Sequence, residues 1–122
     1  MADRLTELQE ELREFVRERD WDRFHDPKNL AMLIVSEAGE LVAEYRWIQG
    51  ADADAYASDP EARARVEAEA ADVGIALLLL FDRVGVDPVD AMRTKLQVNR
   101  SNYPRSLVRG TADRPPRGDA TP

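Results

Sequence analysis

Residues 29–45, NLAMLIVSEAGELVAEY, and residues 66–81, VEAEAADVGIALLLLF, decide the fold of this chain. Each is a long apolar run interrupted by a pair of acids three residues apart, Glu37 with Glu40 and Glu69 with Asp72. At that spacing two side chains project from one face of a helix. Drawn as a wheel at about 100° per residue, the first run gathers Leu30, Ile34, Leu41 and Ile48 on one side. Glu37 falls inside that stripe, and Glu40, Glu44 and Trp47 lie along its edge. The second run places Val66, Ala70, Val73, Leu77, Leu80 and Val84 together, with Glu69 beside them and Asp72 and Ala76 further round. A carboxylate within a Leu/Ile stripe costs several kcal/mol unless it is protonated or paired. Two acid pairs facing each other therefore call for a cation. Oxygen-only ligands select a hard one, magnesium or manganese. A divalent cation held on helical carboxylates points to phosphate chemistry.

Helix signals extend outward from these runs. Leu5, Leu8, Leu12, Phe15 and Val16 recur at helical spacing and predict a first helix ending near Arg19 or Asp20. The segment WDRFHDP reads as a loop, because the residue before proline resists helical geometry. Asp26-Pro27, Asp59-Pro60 and Asp87-Pro88 are three helix starts of one kind, a capping carboxylate followed by proline in the first turn. The predicted helices run from Pro27 to about Gln49, from Pro60 to about Val84, and from Pro88 to Asn99 or slightly beyond. Residues 50–59 are small, acidic and aperiodic, a loop with room for a short helical turn. The expected fold is all-α, an antiparallel four-helix bundle over residues 1–104. Residues 105–122, rich in proline and glycine, are expected to be a flexible tail.

Bulk properties narrow the function. A chain of 122 residues holds one ordinary domain. Its net charge, 17 − 24 = −7, argues against a polymeric nucleic-acid partner. The absence of cysteine excludes disulfides and thiolate metal sites. The charged start MADRLTELQEELREF lacks the apolar centre of a signal peptide, and Val73 to Phe81 is too short to span a bilayer. A cytoplasmic protein without membrane contact is the expectation.

At the acid pairs the chain resembles the MazG-like all-α nucleoside triphosphate pyrophosphohydrolases. That family carries a Glu-x-x-Glu pair on one helix and a Glu-x-x-Asp pair on the next, matched here by EAGE and EAAD. The resemblance runs through WDRFHDPKNL, SEAGELVAEYRW, EAEAADVGIALL, GVDP and KLQVNRSNYP in order, and is closest to the dCTP pyrophosphatase branch. It implies Mg2+-dependent cleavage of a nucleoside triphosphate to the monophosphate and pyrophosphate, with Mn2+ as a substitute. It also implies that Glu37, Glu40, Glu69 and Asp72 are the catalytic acids and metal ligands. One carboxylate could instead orient or deprotonate the attacking water; Glu37, inside the apolar stripe, is favoured. Lys95, Asn99, Arg100 and Tyr103 match the family's phosphate-binding element, and Trp21, His25 and Trp47 its base pocket. A homotetramer, a dimer of dimers with pockets lined by more than one subunit, follows by the same resemblance.

Two positions depart from the branch. Leu12 stands where a histidine is expected and Ala76 where a tyrosine is expected, which predicts a wider, less cytosine-selective pocket. Two alternatives stay open. One is a non-enzymatic, partner-binding helical module whose acids make salt bridges. The other is the same fold acting on dUTP or another nucleotide.

Overall fold

The structure is a computed structural model that describes residues 3–113. Among these residues every regular element is helical: α1 (Arg4–Glu18), α2 (Pro27–Tyr45), α3 (Ala53–Ser58), α4 (Pro60–Arg83), α5 (Pro88–Asn102) and α6 (Arg105–Val108), with short 3-10 turns at Asp22–Phe24 and Gly50–Asp52. The four long helices stand where the sequence predicts them. Their starts have the expected chemistry. Asp26, Asp59 and Asp87 each accept a hydrogen bond from the backbone N–H three residues on, at 2.9, 3.1 and 2.9 Å, and each is followed by proline. These bonds satisfy N–H groups that have no partner within the helix.

The chain divides after Val86 into two compact units. The first contains α1 to α4. Its main contact is α2 along α4, with α1 and α3 also resting on α4. The two long helices run antiparallel, because Glu37 meets Glu69 and Asp72 whereas Glu44, seven residues on, meets Arg65. Along α2, Leu30, Ile34, Glu37, Leu41 and Glu44, and then Ile48 just beyond the helix, are buried or half-buried at spacings of four and three, flanked by half-buried Leu33, Ala38 and Tyr45. Ala62, Val66, Glu69, Val73, Ala76 and Leu80 of α4 follow the same repeat, and Gly74, Leu78, Leu79 and Phe81 are half-buried beside them. Such a repeat keeps one seam facing a partner helix. The inward face of α4 keeps Val66, Val73 and Leu80 of the predicted stripe but is rotated toward Glu69 and Ala76. Ala70, Leu77 and Val84 are exposed, and Ala62 and Ala76 are buried. A wheel weighted by large side chains picks out the leucines, but small alanines are what allow a backbone to approach closely.

The second unit begins at Asp87 and contains α5 and α6. Residues 105–108 form a helical turn where a tail was expected; the remainder of that expected tail, residues 114–122, lies outside the described residues. Helix α2 also stops earlier than predicted. It ends at Tyr45, and the next turns close through bonds from Arg46 to Ala43 and from Ile48 to Tyr45.

Both α1 and α4 end in the same closing motif. The N–H of Val86 donates to the Phe81 carbonyl at 3.0 Å and that of Gly85 to Asp82 at 3.2 Å. The N–H of Trp21 donates to Val16 and that of Asp20 to Arg17, both at 3.1 Å. The motif needs a left-handed residue. Gly85 supplies it at φ 71°, but Asp20 supplies it at φ 52° with a side chain attached. Asp20→Gly should relieve that strain and stabilise the protein by about 0.5–1 kcal/mol, read as a higher Tm in thermal unfolding followed by circular dichroism. An unchanged or lower Tm would contradict this account of the α1 terminus.

Candidate metal centre

Three of the four predicted acids converge. Carboxylate oxygens of Glu37, Glu69 and Asp72 all lie within 4.8 Å of one another. Glu37 and Glu69 are half-buried in the seam, while Asp72 and Glu40 are exposed beside it. Glu40 stays outside the group of three, though its charge is felt at Glu69. Among the described residues none of these four carboxylates is in an ion pair. Partial burial, and then the negative charges of Glu40, Asp72, Glu37 and Glu44, hold the Glu69 carboxyl above its ordinary range. Oxygens crowded this closely without a counter-ion are a donor set that fits a hard divalent cation.

Glu44 occupies the next seam position on α2 and is treated differently. Its side chain is 19% exposed, and its Oε2 accepts hydrogen bonds from the Tyr56 hydroxyl at 3.1 Å and from Arg65 Nε at 3.2 Å. Tyr56 belongs to α3 and also meets the Tyr45 ring edge-on at 5.5 Å. Arg65 and Tyr56 were not singled out from the sequence. The available signal was Arg65 four residues before Glu69, on the same side of α4.

The base-pocket residues do not come together within one chain. Trp21 meets Phe15 edge-on at 5.7 Å. His25 lines a cleft of about 290 Å³ with Arg13, Asp22, Leu79, Asp82 and Arg83, crossed by ion pairs from Arg13 to Asp82 at 2.7 Å and Arg83 to Asp22 at 3.4 Å. Trp47 is 84% exposed beyond the other end of α2, with the Arg46 guanidinium 5.3 Å from its ring. The 19 residues of α2, about 28 Å of helix, lie between these places. In the second unit, Lys95 and Asn99 fall four apart on α5. Asn99 accepts the N–H of Tyr103 at 2.8 Å through its backbone carbonyl. Arg100 is exposed on the same helix. Of the two departures, Leu12 is half-buried, and Ala76 is only 1% exposed. Position 76 packs the inward face of α4.

The described residues thus form an all-helical scaffold with a carboxylate cluster between two antiparallel helices. Comparison with known proteins identifies its relatives. A pyrophosphatase from Archaeoglobus fulgidus of known crystal structure superposes with a TM-score of 0.79 at 36% identity, over 85% of this chain and 95% of that one. Rat dCTP pyrophosphatase 1 is 39% identical and the human protein 35% identical, each over 99 residues and 81% of this chain. The chain spans 58% of the length of each of these two relatives. No family-wide sequence profile matches it. The chain belongs to the MazG-like, dCTP pyrophosphatase-related family.

The raised Glu69 makes the metal-free protein sensitive to pH. A carboxyl that gains proton affinity on folding stabilises the fold below the ordinary carboxylate range, and that contribution is lost as pH rises through its raised value. At neutral pH, Glu69→Gln should therefore raise the Tm of the metal-free protein. The gain should shrink as pH falls into the carboxylate range. A Tm lowered at neutral pH would show that the charge at Glu69 is already compensated.

Proposed function

We propose that this protein is a divalent-metal-dependent nucleoside triphosphate pyrophosphohydrolase that converts dCTP or a modified pyrimidine deoxynucleotide to the monophosphate and pyrophosphate. Mg2+ is the natural ion and Mn2+ its substitute. The observation that carries this reading is the convergence of Glu37, Glu69 and Asp72 within 4.8 Å without a protein cation among them. Glu40, one turn from Glu37 on α2, completes the ligand set. When bound, the cation neutralises charge that builds on phosphate oxygens as the P–O bond breaks.

The side chains supply the rest. Lys95 and Arg100 offer charge to the outer phosphates, with Asn99 and Tyr103 as hydrogen-bond donors. Trp21 and Trp47 offer ring faces to a base and His25 an edge contact. One carboxylate orients or deprotonates the attacking water, and Glu37, in the apolar seam, is assigned that role. The role is removal of unwanted nucleotides from a cytoplasmic pool.

The site belongs to an assembly in this reading. Trp47 is far from Trp21 and His25 in one chain, so a base sandwich requires a second copy. The outer face of α2 supports such a copy. Met32, Val35 and Val42 are 60%, 72% and 65% exposed and, with Gly39, repeat at three and four residues, the spacing of a helix–helix seam. An apolar groove of about 480 Å³ lined by Leu41, Val42, Tyr45, Arg46, Val66 and Ala70 adjoins that stripe. We assign the arrangement as a homotetramer, a dimer of dimers. The antiparallel four-helix bundle inferred from the sequence belongs to the same proposal.

Incubation with Mg2+ and dCTP should yield dCMP and pyrophosphate, resolved by ion-exchange chromatography, and Glu37→Gln should lower turnover by about 10²-fold or more while remaining helical. Products limited to dCDP and orthophosphate, or full activity in the variant, would defeat the reading. A panel of nucleotides that includes dUTP ranks the base preference. Light scattering should give a mass four times that of the chain. Val35→Glu should reduce that mass without loss of helicity. A monomeric wild type would remove the shared-pocket argument.

A further inference from the structure

The seam between α2 and α4 carries a row of acids that ends at one cation. Passing along α2 from Glu37 through Glu40 to Glu44 corresponds, on antiparallel α4, to passing from Asp72 through Glu69 to Arg65. Arg65 and Glu69 are four apart, and so are Glu40 and Glu44, so each pair shares a helix face. Glu44 is thus one turn from Glu40 and two turns from Glu37 on its own helix. It is nevertheless bound elsewhere: both its hydrogen bonds, from Tyr56 and Arg65, are made by Oε2. Arg65 also donates to the Tyr56 hydroxyl at 3.4 Å, which closes a three-membered network. Glu44 is the most buried partner in any ion pair of the described residues.

We propose that Arg65 and Glu44 form a charge-balanced stop to the acid row, and that this balance, rather than a purely mechanical tie between the helices, sets how tightly the neighbouring carboxylates hold a divalent cation. The inference rests on the metal-site reading above and extends it to two positioning residues. The physics is sign-specific. Paired, the two charges largely cancel at the metal centre. Without Arg65 the field of Glu44 is exposed to the centre, two helical turns from Glu37 along α2, and attracts a cation. Without Glu44 the guanidinium is left unmatched beside the centre and repels it. Tyr56 orients Glu44 but carries no charge, so its hydroxyl affects geometry and not the field. Long-range effects of this kind weaken with salt, since the screening length is about 10 Å at 0.1 M.

A purely structural tie makes a different prediction. Arg65→Gln and Glu44→Gln would each break the same bridge and would shift metal affinity in the same direction.

The decisive measurement is Mn2+ binding to the intact, nucleotide-free protein by titration calorimetry at low ionic strength. Arg65→Gln should tighten binding about threefold or more, and Glu44→Gln should weaken it by a similar factor. The Glu44→Gln/Arg65→Gln double variant should return near the wild-type value, and Arg65→Lys, which keeps the charge, should also stay near it. The differences should shrink in 0.5 M salt, where screening is stronger. Shifts of the two single variants in the same direction, or no shift in either, would overturn the proposal while wild-type uptake leaves the metal site standing. If the wild type itself takes up no Mn2+, the metal-site reading and this inference fall together. Circular dichroism of each variant identifies any that fail to fold; Arg65→Lys and Tyr56→Phe then carry the comparison, since a charge balance predicts little change in Mn2+ affinity for either and a mechanical tie predicts weakening in both.

Discussion

Carboxylates occupy positions in the α2–α4 seam that apolar side chains would normally fill, and the rest of the structure answers to that constraint. Glu37, Glu44 and Glu69 share the four-and-three repeat with Leu30, Ile34, Leu41, Val66, Val73 and Leu80. Bringing such helices together removes water from charged groups and sets like charges side by side, and both effects favour the neutral form. The chain resolves one case internally, with Arg65 and Tyr56 on Glu44. Glu37 and Glu69 receive no protein cation, and partial burial followed by the neighbouring carboxylates raises the proton affinity of Glu69. In the proposed site, metal binding and folding would draw on the same free energy, because an ion that satisfied the acids would also remove the repulsion between the helices.

The apolar part of the first unit is thin for the same reason. Seam positions given to acids and alanines bury little hydrocarbon; among the described residues the buried hydrophobics are Val16, Leu30, Ala62 and Ala76. Large apolar side chains sit outside instead, Met32, Val35 and Val42 on α2 and Ile75 and Leu77 on α4. Large contiguous apolar patches are uncommon on monomers, and the proposed assembly would cover these side chains. Such an assembly would supply burial that one chain lacks, and would shield the acids further from water.

Much of this was legible in the sequence where the controlling interaction is local. Helix starts depend on a carboxylate and the N–H groups of the next turn, so the three Asp-Pro steps place α2, α4 and α5 correctly. The acid pairs were legible because three-residue spacing needs only one helix. Features that depend on two helices were harder to read. The inward face of α4 is set by how closely α2 approaches, which favours Ala76 over Leu77. The Glu44–Arg65 bridge joins residues 21 apart and depends on the antiparallel register, which no single-helix pattern encodes. Trp21, His25 and Trp47 were grouped by resemblance, but the length of α2 keeps them apart in one chain.

Antiparallel packing also explains why one spacing, repeated on both helices, builds a site that opens on a single side. Three residues along a helix turn the side-chain direction by about −60° relative to the starting position. On α2 this carries the acid from the seam at Glu37 to the rim at Glu40, and on α4 from Glu69 to Asp72. Because the helices run in opposite directions, the two turns are of opposite sense in space, and both rim acids lean to the same side of the seam. On parallel helices the same repeat would throw them to opposite sides. Four residues backward from Glu69 is a turn of about −40°, so Arg65 leans to that side as well. The exposure of Glu40, Arg65 and Asp72 beside half-buried Glu37, Glu44 and Glu69 agrees with this geometry. One face of the helix pair thus collects the acids and the arginine that ends their row.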